Sequence, residues 1–234
     1  MSPISANLQA VRARLATAAH ATGRDPESIL LLAVSKTFDA AAVIAAAECG
    51  QHAFGENYVQ EALDKMTAVH AARPDLALAW HFIGPLQSNK TRVVAERFDW
   101  VHSVDRLRIA QRLSDQRPEG MPPLNVCLQV NISGEASKSG VAPDEVAALA
   151  RDVAALPRLR LRGLMAIPQP AQEQEAQRRP LRALRTLFEQ VRDRGIELDT
   201  LSMGMSADLE AAVAEGATIV RIGTAIFGNR NYAN

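Results

Sequence analysis

Two cysteines in 234 residues leave no material for a disulfide framework or a cysteine-rich metal site. Cys49 and Cys127 fall in different elements at no metal-ligand spacing, which suits buried thiols in a reducing compartment. An excess of charge is also missing. The 26 basic residues balance 26 acidic ones, so no net field points to nucleic acid or an anionic membrane. No apolar run approaches the length needed to cross a bilayer. The opening Met1-Ser2-Pro3-Ile4 has no basic segment followed by an apolar one, so no signal peptide is expected. These absences predict a soluble cytoplasmic protein. Lysine is scarce too: Lys36, Lys65, Lys90 and Lys138 stand against twenty-two arginines within the 26 basic residues. Arginine clusters such as Arg178-Arg179 lie among glutamates and glutamines and read as a solvated helix face.

One of the four lysines ends a continuous apolar run, Ile29-Leu30-Leu31-Leu32-Ala33-Val34-Ser35-Lys36-Thr37. A short unbroken run of this kind reads as a strand buried on both faces, the signature of a parallel sheet. Lys36 then sits at the strand's C-terminal end, where α/β sheets place their ligands. A lysine in so arginine-rich a chain suits a task that needs a neutral, nucleophilic amine, because guanidinium keeps its charge. The plainer reading, a lysine reaching from a strand end to water, stays open on spacing alone.

The rest of the chain repeats the strand-then-helix pattern. An amphipathic helix over Ile4 to Ala21 carries Ile4, Leu8, Val11 and Leu15 on one stripe. Further strands are predicted at Gln51–Phe54, Leu76–Ile83, Trp100–Val104, Leu124–Val130, Leu159–Ile167, Thr200–Met203 and Thr218–Ile222. Helical segments lie between them, with Asp105 as an N-cap and a helix from about Gln177 to Gly195 after a polar connection. Eight such units with short connections require parallel pairing and right-handed crossovers. The length is close to the roughly 250 residues of a closed barrel. The prediction is one domain over residues 1–234, an α/β (β/α)8 TIM barrel with an extra N-terminal helix.

The unusual segments all fall at strand C-termini and would ring one mouth of that barrel. Ser202-Met203-Gly204-Met205-Ser206 precedes a helical stretch, where free backbone N–H groups and a positive dipole end favour an anion. In Arg221-Ile222-Gly223-Thr224 the glycine admits close approach of a ligand and the threonine adds a hydroxyl. Ser206 as a plain helix cap and Gly223 as a plain turn are the competing readings. Both motifs follow the last two strands, the usual phosphate position in barrels. A phosphate there and a nucleophilic lysine after strand one fit a phosphorylated aldehyde, of which pyridoxal 5′-phosphate has the right shape. Arg221 beside the pyridine nitrogen would oppose its protonation and leave the ring a poor electron sink.

The segments Ala33-Val34-Ser35-Lys36, Phe54-Gly55-Glu56-Asn57, Trp80-His81-Phe82-Ile83-Gly84-Pro85-Leu86-Gln87, Gly163-Leu164-Met165, Leu201-Ser202-Met203-Gly204-Met205-Ser206 and Val220-Arg221-Ile222-Gly223-Thr224 span nearly the whole chain. In combination the chain resembles the pyridoxal-phosphate homeostasis proteins, similar in fold to the N-terminal barrel of alanine racemase. The resemblance implies that Lys36 forms the Schiff base, that Ser206, Gly223 and Thr224 hold the phosphate, and that Arg221 faces the ring nitrogen. Asn57, His81 and Met165 would line the pocket. It further implies binding and supply of the cofactor, with apo-enzymes as recipients, rather than rapid turnover. Many relatives carry a second lysine where this chain has Phe38, and Lys138 matches a lysine common among them. A solvated loop lysine remains the alternative to a second cofactor site at Lys138.

An amino-acid racemase is the alternative function. It would need a second base opposite Lys36, which alanine racemases draw from a further domain of a partner chain. This sequence stops at Asn234 after its eighth strand, and only Tyr58 and Tyr232 are present, so a monomer or weak dimer without efficient racemisation is expected. A Schiff-base aldolase predicts its lysine on a later strand. His81 and His102 stand at strand ends without a metal-ligand carboxylate, which favours hydrogen-bonded structural roles. Glu56 reads either as a pocket carboxylate or as part of the next helix's start, and Cys127 as core.

Overall fold

The computed structural model describes residues 2–135 and 139–228. Eight parallel strands close into a barrel in chain order: β1 Leu30–Val34, β2 Ala53–Glu56, β3 Ala79–Phe82, β4 Trp100–Val104, β5 Leu124–Gln129, β6 Leu159–Met165, β7 Thr200–Ser202 and β8 Ile219–Ile222. The last strand pairs with the first, Leu30 opposite Ile219 through Ala33 opposite Ile222, which removes both sheet edges. Helix α1, Pro3–Ala21, precedes the barrel. The strands are followed in turn by α2 Ala40–Glu48, α3 Val59–Ala72, α4 Thr91–Arg97, α5 Leu107–Gln116, α6 Val146–Ala154, α7 Gln174–Arg192, α8 Leu209–Ala214 and α9 Thr224–Phe227. The predicted (β/α)8 barrel with an extra N-terminal helix is the architecture found.

The place of α1 follows from the shortness of α9. A four-residue helix cannot cover the outside of β8, and α1 packs against α8, α9 and α2 in the gap that it leaves. Its buried Leu8, Val11, Leu15, Ala18 and Ala19 recur at helical spacing. Ser2 caps its start, its hydroxyl accepting from the Ser5 N–H at 3.2 Å. Arginines then fasten neighbouring helix ends, whose last carbonyls lack partners within the helix. Arg12 donates to the Cys49 and Gly50 carbonyls at the end of α2, both at 2.8 Å. Arg24 does the same for Val213 and Ala217 at the end of α8.

Several expectations are corrected. The third strand is only Ala79–Phe82, because Leu76 and Leu78 pack against the core from a loop without joining the ladder. Asp105 pairs with Arg106 at 2.6 Å and caps nothing, and Arg106 takes the N-cap position. Helix α7 runs from Gln174 to Arg192, three residues earlier at each end than expected; it spans Pro180 as the expected helix did, and that proline removes one backbone bond. The buried stripe Leu181, Leu184, Phe188 and Val191 outweighs that loss. Nor is the arginine cluster wholly solvated. Arg178, Arg182 and Arg185 converge on the buried carboxylate of Glu215, at 2.7, 3.1 and 3.2 Å.

The larger hydrophobic core lies between sheet and helices, as two-sided burial of parallel strands requires. Inside the barrel, Leu32, Ala53 and Ile219 form a separate small cluster with Ile83 and Trp100. Polar side chains take up space towards the C-terminal mouth.

Candidate functional site

Lys36 leaves the barrel two residues beyond β1, half-buried in a turn whose neighbours are all held. The Val34–Gly55 register places Ser35 beside Glu56 at the end of β2. Ser35 donates its hydroxyl to Glu56 Oε1 at 2.6 Å. The buried Lys65 of α3 donates to the same oxygen at 2.6 Å, to the Ser35 carbonyl at 2.7 Å and to Glu61 Oε1 at 3.0 Å. Glu61 Oε1 also accepts the Thr37 N–H at 2.6 Å. Thr37 has φ +68°, a left-handed conformation that a β-branched residue rarely adopts. Burial pushes the Glu56 carboxyl up, against the pull of the Lys65 ammonium and the Ser35 hydroxyl. Its Oε2 has no hydrogen-bond partner, and neither has the buried Oδ1 of the adjacent Asn57. Glu56 is thus neither an open pocket carboxylate nor a helix cap; it is the partner of Lys65.

The loops after β7 and β8 meet that turn. Gly223 starts α9 and lies against β1: a Cβ there would stand 3.1 Å from the Val34 carbonyl oxygen. Thr224 opens α9 and is exposed. After β7, Gly204 has φ +93°, and a Cβ on it would overlap the Ala212 side chain, so only glycine fits. Ser206 lies in the turn before α8, which begins at Leu209, and Asp208 takes the N-cap position that the sequence suggested for Ser206. Asp208 accepts the Met205 N–H at 2.6 Å. Arg14 of α1 donates to the Ser206 carbonyl at 2.7 Å and pairs with Glu210, so the extra helix braces this loop from behind.

Beneath the mouth a chain of buried polar side chains crosses the barrel. Arg221 on β8 donates to the Ala166 carbonyl at 2.9 Å and to Ser202 Oγ at 2.8 Å. Ser202 Oγ lies 2.7 Å from His102 Nδ1, and His102 Nε2 lies 2.9 Å from His81 Nδ1. The His81 ring stacks on Trp100. Burial pulls the Arg221 guanidinium down to about 10, with Asp208 opposing, so it stays charged at neutral pH. Burial holds His81 down at about 3. His102 is pushed well below its ordinary value, first by burial and then by His81 and Arg221. Both imidazoles are neutral, and the arginine is the fixed cation of the barrel interior.

The structure brings Lys36, Arg221, Gly223, Thr224, Ser206 and Asn57 to the C-terminal ends of β1, β2, β7 and β8. His81 and Met165 are fully buried at the ends of β3 and β6, His81 within the side-chain chain just described. Lys138 and Tyr232 lie outside the described residues. Lys65, Glu61 and Ser202 were missed; the Glu61–Lys65 spacing of one helical turn was the available signal for the first two. Among the described residues no group of His, Cys, Asp and Glu could hold a metal ion, and no helix is long and apolar enough to cross a membrane.

A lysine after strand one, an arginine on strand eight and a Gly-Thr turn beside them, all on a closed parallel barrel, define an alanine racemase-like α/β barrel. The chain belongs to the family of the alanine racemase N-terminal domain, whose model matches residues 6–231, and within it to the pyridoxal phosphate homeostasis proteins. It is 63% identical over 232 residues to the pyridoxal phosphate homeostasis protein of Pseudomonas aeruginosa, covering 99% of this chain and 98% of that one. The Escherichia coli protein of the same name is 56% identical over 233 residues, with 100% and 99% covered. The structure of PipY from Synechococcus elongatus with pyridoxal phosphate bound superposes with a TM-score of 0.82 at 37% identity, covering 96% of this chain and all of that one. Alanine racemase from Corynebacterium glutamicum shares the fold, with a TM-score of 0.68 at 17% identity over 99% of this chain and 62% of its own.

Proposed function

We propose that this chain, as one barrel domain over residues 1–234, binds pyridoxal 5′-phosphate as a Schiff base on Lys36 and supplies it to enzymes that need it, without rapid catalysis of its own. The observation that carries this reading is the junction of β8 with β1, where Gly223 packs on the Val34 carbonyl and brings the Gly-Thr turn beside the turn of Lys36. Hydrogen-bond donors suited to a phosphate and the lysine then stand at one mouth of the barrel. The residues present fit the cofactor. Ser206, Gly223 and Thr224 would hold its phosphate, and the buried, unpartnered Asn57 Oδ1 leaves an acceptor beyond the end of β2, with His81 and Met165 buried at the ends of β3 and β6. Bound there, the group supplies an aldehyde that condenses with an amine, releasing water, and a pyridine ring able to withdraw electrons.

What the protein's own residues do with it favours holding over turnover. Arg221 can only donate hydrogen bonds, so at the ring nitrogen it keeps that nitrogen unprotonated. An unprotonated ring withdraws electrons weakly, which leaves the α-proton of an amino acid hard to remove. Racemisation also needs a second base. The one tyrosine among the described residues, Tyr58, stands on the rim, 57% exposed. Names of close relatives support the homeostasis reading. The two free thiols suit the cytoplasm, and a monomer or weak dimer is part of the same reading.

The test is an absorbance spectrum of the purified protein saturated with pyridoxal phosphate, repeated on Lys36→Ala. A visible band that borohydride removes and the variant lacks is the expected result, with racemase and transaminase assays on the same sample near background. A saturated wild type without the band overturns the covalent reading. Rapid racemisation would overturn the carrier reading and leave the site intact.

A further inference from the structure

We propose that Lys65, Glu56 and Glu61 form a positioning clamp that fixes the direction in which Lys36 leaves β1. The inference rests on the reading of Lys36 as the covalent attachment point and adds residues to that site. Lys36 itself is flanked on both sides by held atoms. On the N-terminal side, Lys65 binds the Ser35 carbonyl and Glu56 binds the Ser35 hydroxyl. On the C-terminal side, Glu61 binds the Thr37 N–H, and the Phe38 ring stacks on Phe227 of α9 with centroids 5.0 Å apart. A single ammonium, buried to 5% exposure, joins the two sides by bridging Glu56 and Glu61.

The backbone shows what the clamp does. Threonine at φ +68° persists only where its surroundings over-determine it, and such positions cluster where geometry serves a site. The Glu61 carboxylate supplies the restraint at the strained residue through a charge-assisted bond of 2.6 Å. With Thr37 left-handed, the chain turns after Lys36 towards α2, which begins at Ala40. Released from Glu61, Thr37 relaxes to ordinary backbone and Lys36 swings with it. A buried ion pair would be a poor choice for stability alone, since desolvation offsets much of its attraction. Holding two chain segments in one register is the use that such a pair serves best here.

Glu61 is the residue to change, because its side chain is one-third exposed and its loss does not strand a charge in the core. Glu61→Ala removes the acceptor; Glu61→Gln keeps an amide oxygen for the Thr37 N–H. Hydrogen exchange on the ligand-free proteins reads the clamp directly: the peptide containing Thr37 should exchange faster in Glu61→Ala and like wild type in Glu61→Gln. Borohydride trapping of pyridoxal phosphate on Lys36 reads its consequence. The trapping rate should fall about tenfold in Glu61→Ala and return to within about twofold in Glu61→Gln, as expected when a reacting group is misplaced. Trapping as fast in Glu61→Ala as in wild type, whatever its melting temperature, overturns the proposal. Slowing in either variant without faster exchange of the Thr37 peptide also overturns it, since the loss would then not act through that turn. A wild type that traps nothing overturns the covalent reading as well, and is told apart by that control.

Discussion

Acidification from pH 7.5 to 5 is expected to weaken the fold through the two histidines inside the barrel. Burial holds His81 at about 3, whereas the unfolded chain returns it to about 6.5. Below pH 6.5 the unfolded chain binds a proton that the folded chain refuses, so stability falls as pH falls; above it both states are neutral and the effect vanishes. At pH 5 the unfolded group lies about 1.5 units above the solution pH, which corresponds to about 2 kcal/mol from His81 alone. His102 is shifted in the same direction and adds to this loss. Against a typical total of about 5–15 kcal/mol the effect is large. Urea unfolding followed by circular dichroism at half-unit steps of pH measures it. Near pH 5.5 His81 should contribute a slope of about 1.2 kcal/mol per pH unit. Carboxylates titrate in the same experiment, so the informative quantity is the difference between wild type and His81→Asn, in which they cancel. The variant's slope should be shallower by that amount. Equal slopes would mean that the histidine chain admits a proton or water in the folded state, and would refute the picture of a neutral barrel interior.

Two further outcomes follow from the geometry. Gly204→Ala places a side chain at positive φ and against Ala212, so a loss of about 3 kcal/mol is expected, roughly a 10 °C drop in melting temperature by calorimetry. Weaker binding of pyridoxal phosphate should accompany it, and an unchanged melting temperature would contradict the close packing of that loop. Cys127 is fully buried, with its thiol pushed up to about 12, whereas Cys49 is partly exposed. A thiol reagent should therefore label one cysteine in the native protein and two after unfolding; two labelled in the native state would contradict the burial of β5.

The alternation of strand and helix was readable because each strand, buried on both faces, shows as an apolar run that polar punctuation ends. The place of Lys36, Ser206, Arg221, Gly223 and Thr224 at strand C-termini was readable for a related reason: polar residues and glycines stand out when they follow such a run. The clamp was not. Glu56, Glu61 and Lys65 meet Ser35 and Thr37 only through the β1–β2 register, and register is not written in either strand alone. The histidine chain needed register as well. His81 lies opposite Trp100, so His102, two residues on, shares its inward face, and Ser202 joins from the far side of the closed sheet. Helix limits failed where no local signal marks them, as at the start of α7, where Glu173 takes the N-cap position without a side-chain cap bond. Leu76 and Leu78 misled because burial does not require hydrogen bonding to a neighbouring strand.

The docking of α1 ties the beginning of the barrel's assembly to its end. Asn7 reaches the Ile226 carbonyl and Arg14 reaches Glu210 and Ser206, across 219, 196 and 192 residues of chain. At typical elongation rates, the interval between synthesis of Ala21 and of Leu209 is roughly ten to forty seconds. Throughout that interval the helix that carries Leu8, Val11 and Leu15 has α2 beside it but lacks α8 and α9, a standing invitation to a chaperone or to another nascent chain. Ring closure, completed burial of that helix and bracing of the Ser206 loop are then one late event. A ligand cannot find the finished mouth before the oldest helix has come home.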